Sequence, residues 1–207
     1  VYKFLKSRAQ PLYFSSANFQ TEHFGPGWSW DDYMDYYQVE RTSFPIYGNL
    51  ARMKKVNGGF IATPPVFDYT VNTANRSGKT ATISRGAASN VITYTPGLTD
   101  RPRQWDVPFH VDDNLVAKLL GDTLRKEVRV VNKKMPGYAR TLYTQHADSL
   151  YKVMMVDSDN FIAEQLLLQC AGFLSDTLKP EIAIRYAKKN FLNDLPDEPT
   201  WVDGSGL

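Results

Sequence analysis

The sequence predicts an α+β fold in which a β-rich first half precedes a helical second half. Two observations carry this. Across residues 1–104, short runs rich in β-branched and aromatic residues alternate with turn clusters. From about residue 105, apolar residues fall at helical spacing instead. With 207 residues, 43% hydrophobic and 22% charged, the chain has the length and composition to bury a real core. The boundary is placed at 104/105, giving segments 1–104 and 105–207.

In the first half the strand candidates are "SFPIYGNLARM" (43–53), "VFDYTV" (66–71), "KTATISR" (79–85) and "NVITYTP" (90–96). "NGG" (57–59), "TPP" (63–65), "NRSG" (75–78) and "GAASN" (86–90) separate them as turns. Ahead of them "GPGWSWDDYMDYYQ" (25–38) gathers Trp28, Trp30, Tyr33, Tyr36 and Tyr37, which read as a packed aromatic mini-core or as a platform for stacking sugars. In the second half, "WDVPFHVDD" is a short strand that ends in an acidic helix start. A helix over 114–127 places Val116, Leu119, Leu120 and Leu124 on one face. "EVRVVN" and "ARTLYTQH" read as strands. A helix over 147–156 turns Ala147, Leu150, Val153 and Met154 inward. The helix over about 160–174 is apolar almost all round, except at Glu164, Gln165 and Gln169, and is therefore expected to be buried. Pro180 and Glu181 open a last helix over 180–193.

Composition excludes several classes. A formal charge of +2, spread along the chain, predicts no nucleic-acid surface. No run reaches the length of a membrane span. One cysteine, Cys170, excludes an internal disulfide, and its apolar setting predicts a buried, inert thiol. His23, His110 and His146 have no metal-ligand spacing, so no metal or cofactor is expected. Asp31, Asp32 and Asp35 read as a solvated turn rather than paired catalytic carboxylates. "VYKFLKSRAQ" does not read as a natural start, and the chain is expected to be a mature protein or a piece of a longer one.

Chemistry concentrates at Ser158-Asp159-Asn160, between two apolar helices. Capping is the ordinary role of short polar residues before an apolar run, but a cap needs only one of them. A Ser-x-Asn corner is also one of three elements in active-serine enzymes that process penicillins and peptidoglycan, beside a Ser-x-x-Lys helix and a Lys-Thr-Gly strand. The literal Ser149-x-x-Lys152 lies on the helix that leads into the triplet, too close to face it across a substrate. Lys79-Thr80-Ala81 lacks the glycine that allows close backbone approach and precedes the triplet. "SGKT" (77–80) fails as a phosphate loop because position 73 is Thr73.

Four segments, in order, resemble the DacB-type D-alanyl-D-alanine carboxypeptidases/endopeptidases, penicillin-binding proteins of serine peptidase family S13. "GPGWSWDDYMDYY" with the following "PIYGNL" is similar to the family's Trp signature. "VPFHVDDNLVAKLLGDTLRKEV" resembles the end of its inserted region. "HADSLYKVMMVDSDNFIAEQLLLQCAG" resembles its Ser-Asp-Asn block, and "WVDGSGL" its Asp-Gly-Ser-Gly element. The resemblance spans most of residues 24–207; residues 54–100 match less well.

The resemblance implies that residues 1–104 hold a β-rich inserted region. Residues 105–207 would then be the helical part of a transpeptidase-like (β-lactamase-like) domain. The family's nucleophile and Lys-Thr-Gly strand fall outside these 207 residues, so an inactive internal fragment is expected. Ser158 and Asn160 carry over as catalytic residues, and Asp203, Gly204, Ser205 and Gly206 as a structural element near them. Peptidoglycan peptides are the implied substrates, β-lactams the implied inhibitors of the parent, and the bacterial periplasm or cell envelope the implied location. The competing expectation is a non-catalytic wall- or protein-binding module that uses the aromatic cluster.

Overall fold

Most of these turn clusters and capped runs mark element boundaries in the computed structural model, which describes all residues except 58, 75–77, 99–102 and 144. In chain order the elements are α1 (Tyr2–Ser7), β1 (Leu12–Phe14), β2 (Leu50–Val56), β3 (Gly59–Thr63), β4 (Tyr69–Val71), β5 (Thr82–Ser84) and β6 (Ile92–Thr95). There follow β7 (Gln104–Pro108), α2 (Asp113–Leu124), β8 (Val128–Val130), α3 (Ala147–Asp157), α4 (Asn160–Ser175) and α5 (Pro180–Phe191). Most of the turn at 75–78, and with it Ser77 of the phosphate-loop look-alike, lies outside the described residues. Two compact units interleave in sequence: residues 1–28 and 41–46 fold with 112–207, and residues 29–40 fold with 47–111.

The second of these units is the β-rich one. In β2, buried Ala51 and Met53 alternate with exposed Arg52 and Lys54, the period-two pattern of a strand with one covered face. β2 is central and antiparallel to both β3 and β7. A second sheet has β6 at its centre, parallel to β4 and antiparallel to β5. Met53, Phe67, Ile92, Tyr94, Val107 and Phe109 are among the buried apolar residues of this unit. The charged residues Arg85 and Glu40 are buried with them. Arg85 donates from Nε to Pro108 O (2.6 Å) and from Nη1 to Gly86 O and Ala87 O (both 2.9 Å). Burial lowers its pKa, opposed by the nearby Glu40 charge. Glu40 in turn accepts from Val111 N–H (2.9 Å) and lies 3.0 Å from His110 Nδ1.

The other unit is mainly helical. Asp112 caps α2 by accepting from Leu115 N–H (2.8 Å), and Val116, Ala117, Leu119 and Leu124 are buried. β8 returns beside β1 as a short parallel pair, Leu12 opposite Val128 and Phe14 opposite Val130. α4 and α5 pack together, with Leu168, Ala171, Ala183 and Ile184 buried.

Several expectations are corrected. α4 is not buried all round: its buried residues are Glu164, Gln165, Leu168 and Ala171, while Phe173 is 82% exposed. Cys170 lies off that stripe and is exposed rather than buried. The aromatic mini-core does not form, because Trp30 and Tyr36 point to solvent at 85% and 71% exposure. Tyr37 donates to Asp32 (3.0 Å) and Asp35 (3.1 Å), and these carboxylates, Asp32 foremost, push its pKa up to about 12. "ARTLYTQH" forms no strand among its described residues, where no neighbouring ladder receives it. In "SFPIYGNLARM" the strand begins only at Leu50, after a 3₁₀ turn over Tyr47–Asn49. On α3 only Leu150 and Met154 are half-buried, while Ala147 and Val153 stay exposed.

Candidate active site

The triplet forms a corner between α3 and α4, and its three residues do different things. Ser158 ends α3 in the left-handed region (φ 52°, ψ 49°), and its backbone N–H reaches back to Met154 O. Arg125 and Asp176 close α2 and α4 in the same conformation, whereas α1 and α5 end otherwise, so the left-handed turn at Ser158 is by itself an ordinary helix end. Asp159 is the cap: its Oδ1 accepts from Ile162 N–H at 2.9 Å. Asn160 is the first residue of α4 and half-buried, while Ser158 is exposed. The Asp159 side chain therefore caps α4. The literal Ser149-x-x-Lys152 lies on α3 with both residues exposed.

One helical turn beyond Asn160 lies Glu164, 1% exposed. Its Oε2 accepts from Arg41 Nε at 2.8 Å. Arg41 Nη2 lies 2.7 Å from the same oxygen, an ionic contact without a well-directed hydrogen bond. Glu164 Oε1 accepts from two consecutive backbone N–H groups, those of Gly204 and Ser205, each at 2.8 Å. Asp203 completes the knot by accepting from Trp28 Nε1 (2.9 Å) and from Gly206 N–H (2.7 Å). The Arg41 guanidinium lies over the Trp28 ring, 4.9 Å from its centroid. Gln165, with its amide turned so that both ends are satisfied, spans the backbone of Thr42: it donates to Thr42 O (3.0 Å) and accepts from Thr42 N–H (2.9 Å). Ser205 Oγ is buried and has no partner among the described residues.

Two glycines are required here. A Cβ on Gly204 would stand 2.8 Å from Ala163 O, so only glycine lets this backbone lie against α4. Gly206 turns the chain at φ 79°, a conformation that favours glycine. The knot thus joins four stretches far apart in sequence: Trp28, Arg41-Thr42, Glu164-Gln165 and Asp203–Gly206. All belong to one unit.

Sequence reasoning places Trp28 among aromatics and gives Asp203–Gly206 a structural role. It gives no role to Arg41 and treats Glu164 and Gln165 as polar exceptions on an apolar helix. That exception is the usable signal, because a carboxylate inside an apolar stretch needs a buried partner. Among the described residues no group of His, Cys, Asp and Glu could hold a metal ion, and no helix is long and apolar enough to cross a membrane.

This mixed α+β architecture is that of the penicillin-binding proteins. Similar solved structures include penicillin-binding protein 4 (dacB) from Haemophilus influenzae, at TM-score 0.71 and 18% identity over 95% of this chain and 49% of that one. The same protein complexed with a novel β-lactam matches at TM-score 0.59 and 16% identity, over 95% of this chain and 47% of that one. The chain therefore spans about half the length of these neighbours. No family model matches the sequence. No curated protein matches it either.

Proposed function

We propose that Ser158 and Asn160 form one wall of the active site of a serine-type D-alanyl-D-alanine carboxypeptidase/endopeptidase acting on peptidoglycan stem peptides. The whole protein would contain this chain as one part and work in the bacterial periplasm or cell envelope. The observation that carries the reading is the division of labour at the corner. The Asp159 side chain caps α4, and the exposed Ser158 is not needed for that bond. The fold likeness to a penicillin-binding protein supports it.

In this reading a serine outside the chain attacks the D-Ala-D-Ala carbonyl, and an oxyanion hole stabilises the tetrahedral intermediate. The exposed Ser158 hydroxyl passes a proton to the departing D-Ala amine, and the Asn160 amide holds the substrate peptide. The 207 residues alone supply neither nucleophile nor Lys-Thr-Gly strand and should form no adduct with a penicillin.

The test is Ser158→Ala and Asn160→Ala in the full-length protein. Each should lower D-Ala release by about a hundredfold or more with folding unchanged. Unchanged hydrolysis would sink the reading. It would favour the second one, a wall- or protein-binding module, which draws its support from the exposure of Trp30 and Tyr36. That module predicts retention on isolated peptidoglycan, lost on Trp30→Ala with Tyr36→Ala.

A further inference from the structure

We infer that Glu164 is a positioning residue for the Ser158–Asn160 corner, held in place by Arg41, Gly204 and Ser205 and braced by Trp28 and Asp203. The inference rests on the peptidase reading above and adds to it residues that touch no substrate.

Three observations carry it. First, Asn160 and Glu164 are four residues apart on α4, so their side chains leave the same face one turn from each other. Whatever fixes Glu164 fixes the first turn of the helix. Second, the contacts on Glu164 are rigid ones: a guanidinium on one oxygen and two backbone N–H groups on the other, all in a nearly water-free setting. Third, the 203–206 turn lies backbone-on-backbone against Ala163, three residues after Asn160, where Gly204 leaves no room for a Cβ. A helix start held by its cap alone is open to fraying, because its first N–H groups lack intrahelical partners. Here the second turn is clamped from two sides.

Stability alone does not account for this design. A buried ion pair commonly stabilises no more than well-packed apolar residues of the same volume. What the knot provides and an apolar pair would not is a directional register, set by short bonds of fixed geometry to segments 41–42 and 203–206. Precision of that kind serves a site whose groups must meet a reacting peptide within a fraction of an ångström.

The experiment uses the full-length protein with Trp28→Phe, Gly204→Ala and Glu164→Gln. Trp28→Phe deletes one N–H and keeps an aromatic ring beneath Arg41. Gly204→Ala pushes the turn off α4 without touching a charge. Glu164→Gln removes the charge and keeps an acceptor for the two N–H groups. For each folded variant, kcat and KM for D-Ala release are measured with the pH profile and the melting temperature. The expected result is a kcat lowered by about tenfold to a hundredfold in Gly204→Ala and Glu164→Gln, and less in Trp28→Phe. KM should stay within about threefold, with the pH profile unmoved. The inference is overturned if folded variants melt earlier yet keep kcat within about twofold of the unsubstituted protein. Trp28→Phe and Gly204→Ala decide the matter if Glu164→Gln does not fold. Asn160→Ala separates the two levels. If it leaves turnover intact, the peptidase reading fails and takes this inference with it. If it abolishes turnover while the knot variants do not slow it, only this inference fails.

Discussion

Among the described residues each unit buries one arginine, and the two are satisfied in opposite ways. Arg41, 2% exposed, meets a carboxylate that is itself 1% exposed. Arg85, 5% exposed, points Nε and Nη1 at main-chain carbonyls of residues 86, 87 and 108. The guanidinium fork suits both tasks, since it offers several donors in fixed directions. The consequences differ. Arg85 gathers two carbonyls from its own 85–89 bend and ties that bend to Pro108, 23 residues away. For Arg41 the carboxylate partner comes from elsewhere in the chain, and the Arg41–Glu164 pair ties together positions 123 residues apart. Breaking the first should loosen a loop; breaking the second should release a helix.

The largest expected effect follows from that contrast. Arg41→Met leaves Glu164 as a buried charge whose remaining partners are two backbone N–H groups, and should cost about 3–5 kcal/mol. Hydrogen exchange should then rise across α4 and residues 201–206, and leave β2 and β7 protected. Adding Glu164→Gln removes the stranded charge while keeping an acceptor for Gly204 and Ser205. The double variant should therefore be more stable than Arg41→Met alone, by denaturant melts of both. If the second change instead worsens the first, the pair is not the unit that holds α4 to segment 41–42.

Arg85→Lys should cost less, about 2 kcal/mol, because charge and stem remain while one ammonium cannot reach three diverging carbonyls. Protection should fall around residues 86–90 and 108, with α4 unaffected. A loss as large as that of Arg41→Met would erase the distinction between a carbonyl cage and a carboxylate pair. It would mean that the carbonyls, not the guanidinium, set the penalty.

What could be read from the sequence divides along the same line. Contributions that repeat along the chain are legible: the acidic start of α2, the Pro180 start of α5 and a helix cap within the Ser158–Asn160 triplet are each local pattern. The α+β class follows from them, while the order of the four segments is read from the family resemblance. Contributions that depend on distant partners were not legible. Nothing near Arg41 announces a carboxylate at 164, and the apolar character of residues 166–174 hid the fact that α4 buries its polar side first. Trp30 and Tyr36 failed for a related reason, because aromatic clustering in sequence says nothing about whether a covering surface exists. Ser158 and Asn160 stand between the two cases: their place at the corner was readable, and their chemistry is a proposal that mutagenesis must decide.

The smallest expected effect tests whether the knot is complete as described. Ser205 donates its backbone N–H to Glu164, but its hydroxyl is buried without a partner among the described residues. A buried hydroxyl that makes no hydrogen bond has surrendered its hydration and received nothing in exchange, so its removal should relieve the fold. Ser205→Ala keeps the backbone and the bond to Glu164. It should leave the chain equally stable or more stable by up to about 1 kcal/mol, as a small rise in melting temperature. The contrast with Arg41→Met, a few ångströms of chemistry away on the same carboxylate, is the sharpest available. If Ser205→Ala costs as much as about 1 kcal/mol, the hydroxyl has a partner and the knot extends beyond the atoms named here. If it costs nothing, the side chains that matter are those of Trp28, Arg41, Glu164 and Asp203, and residues 204–206 contribute through their backbone alone.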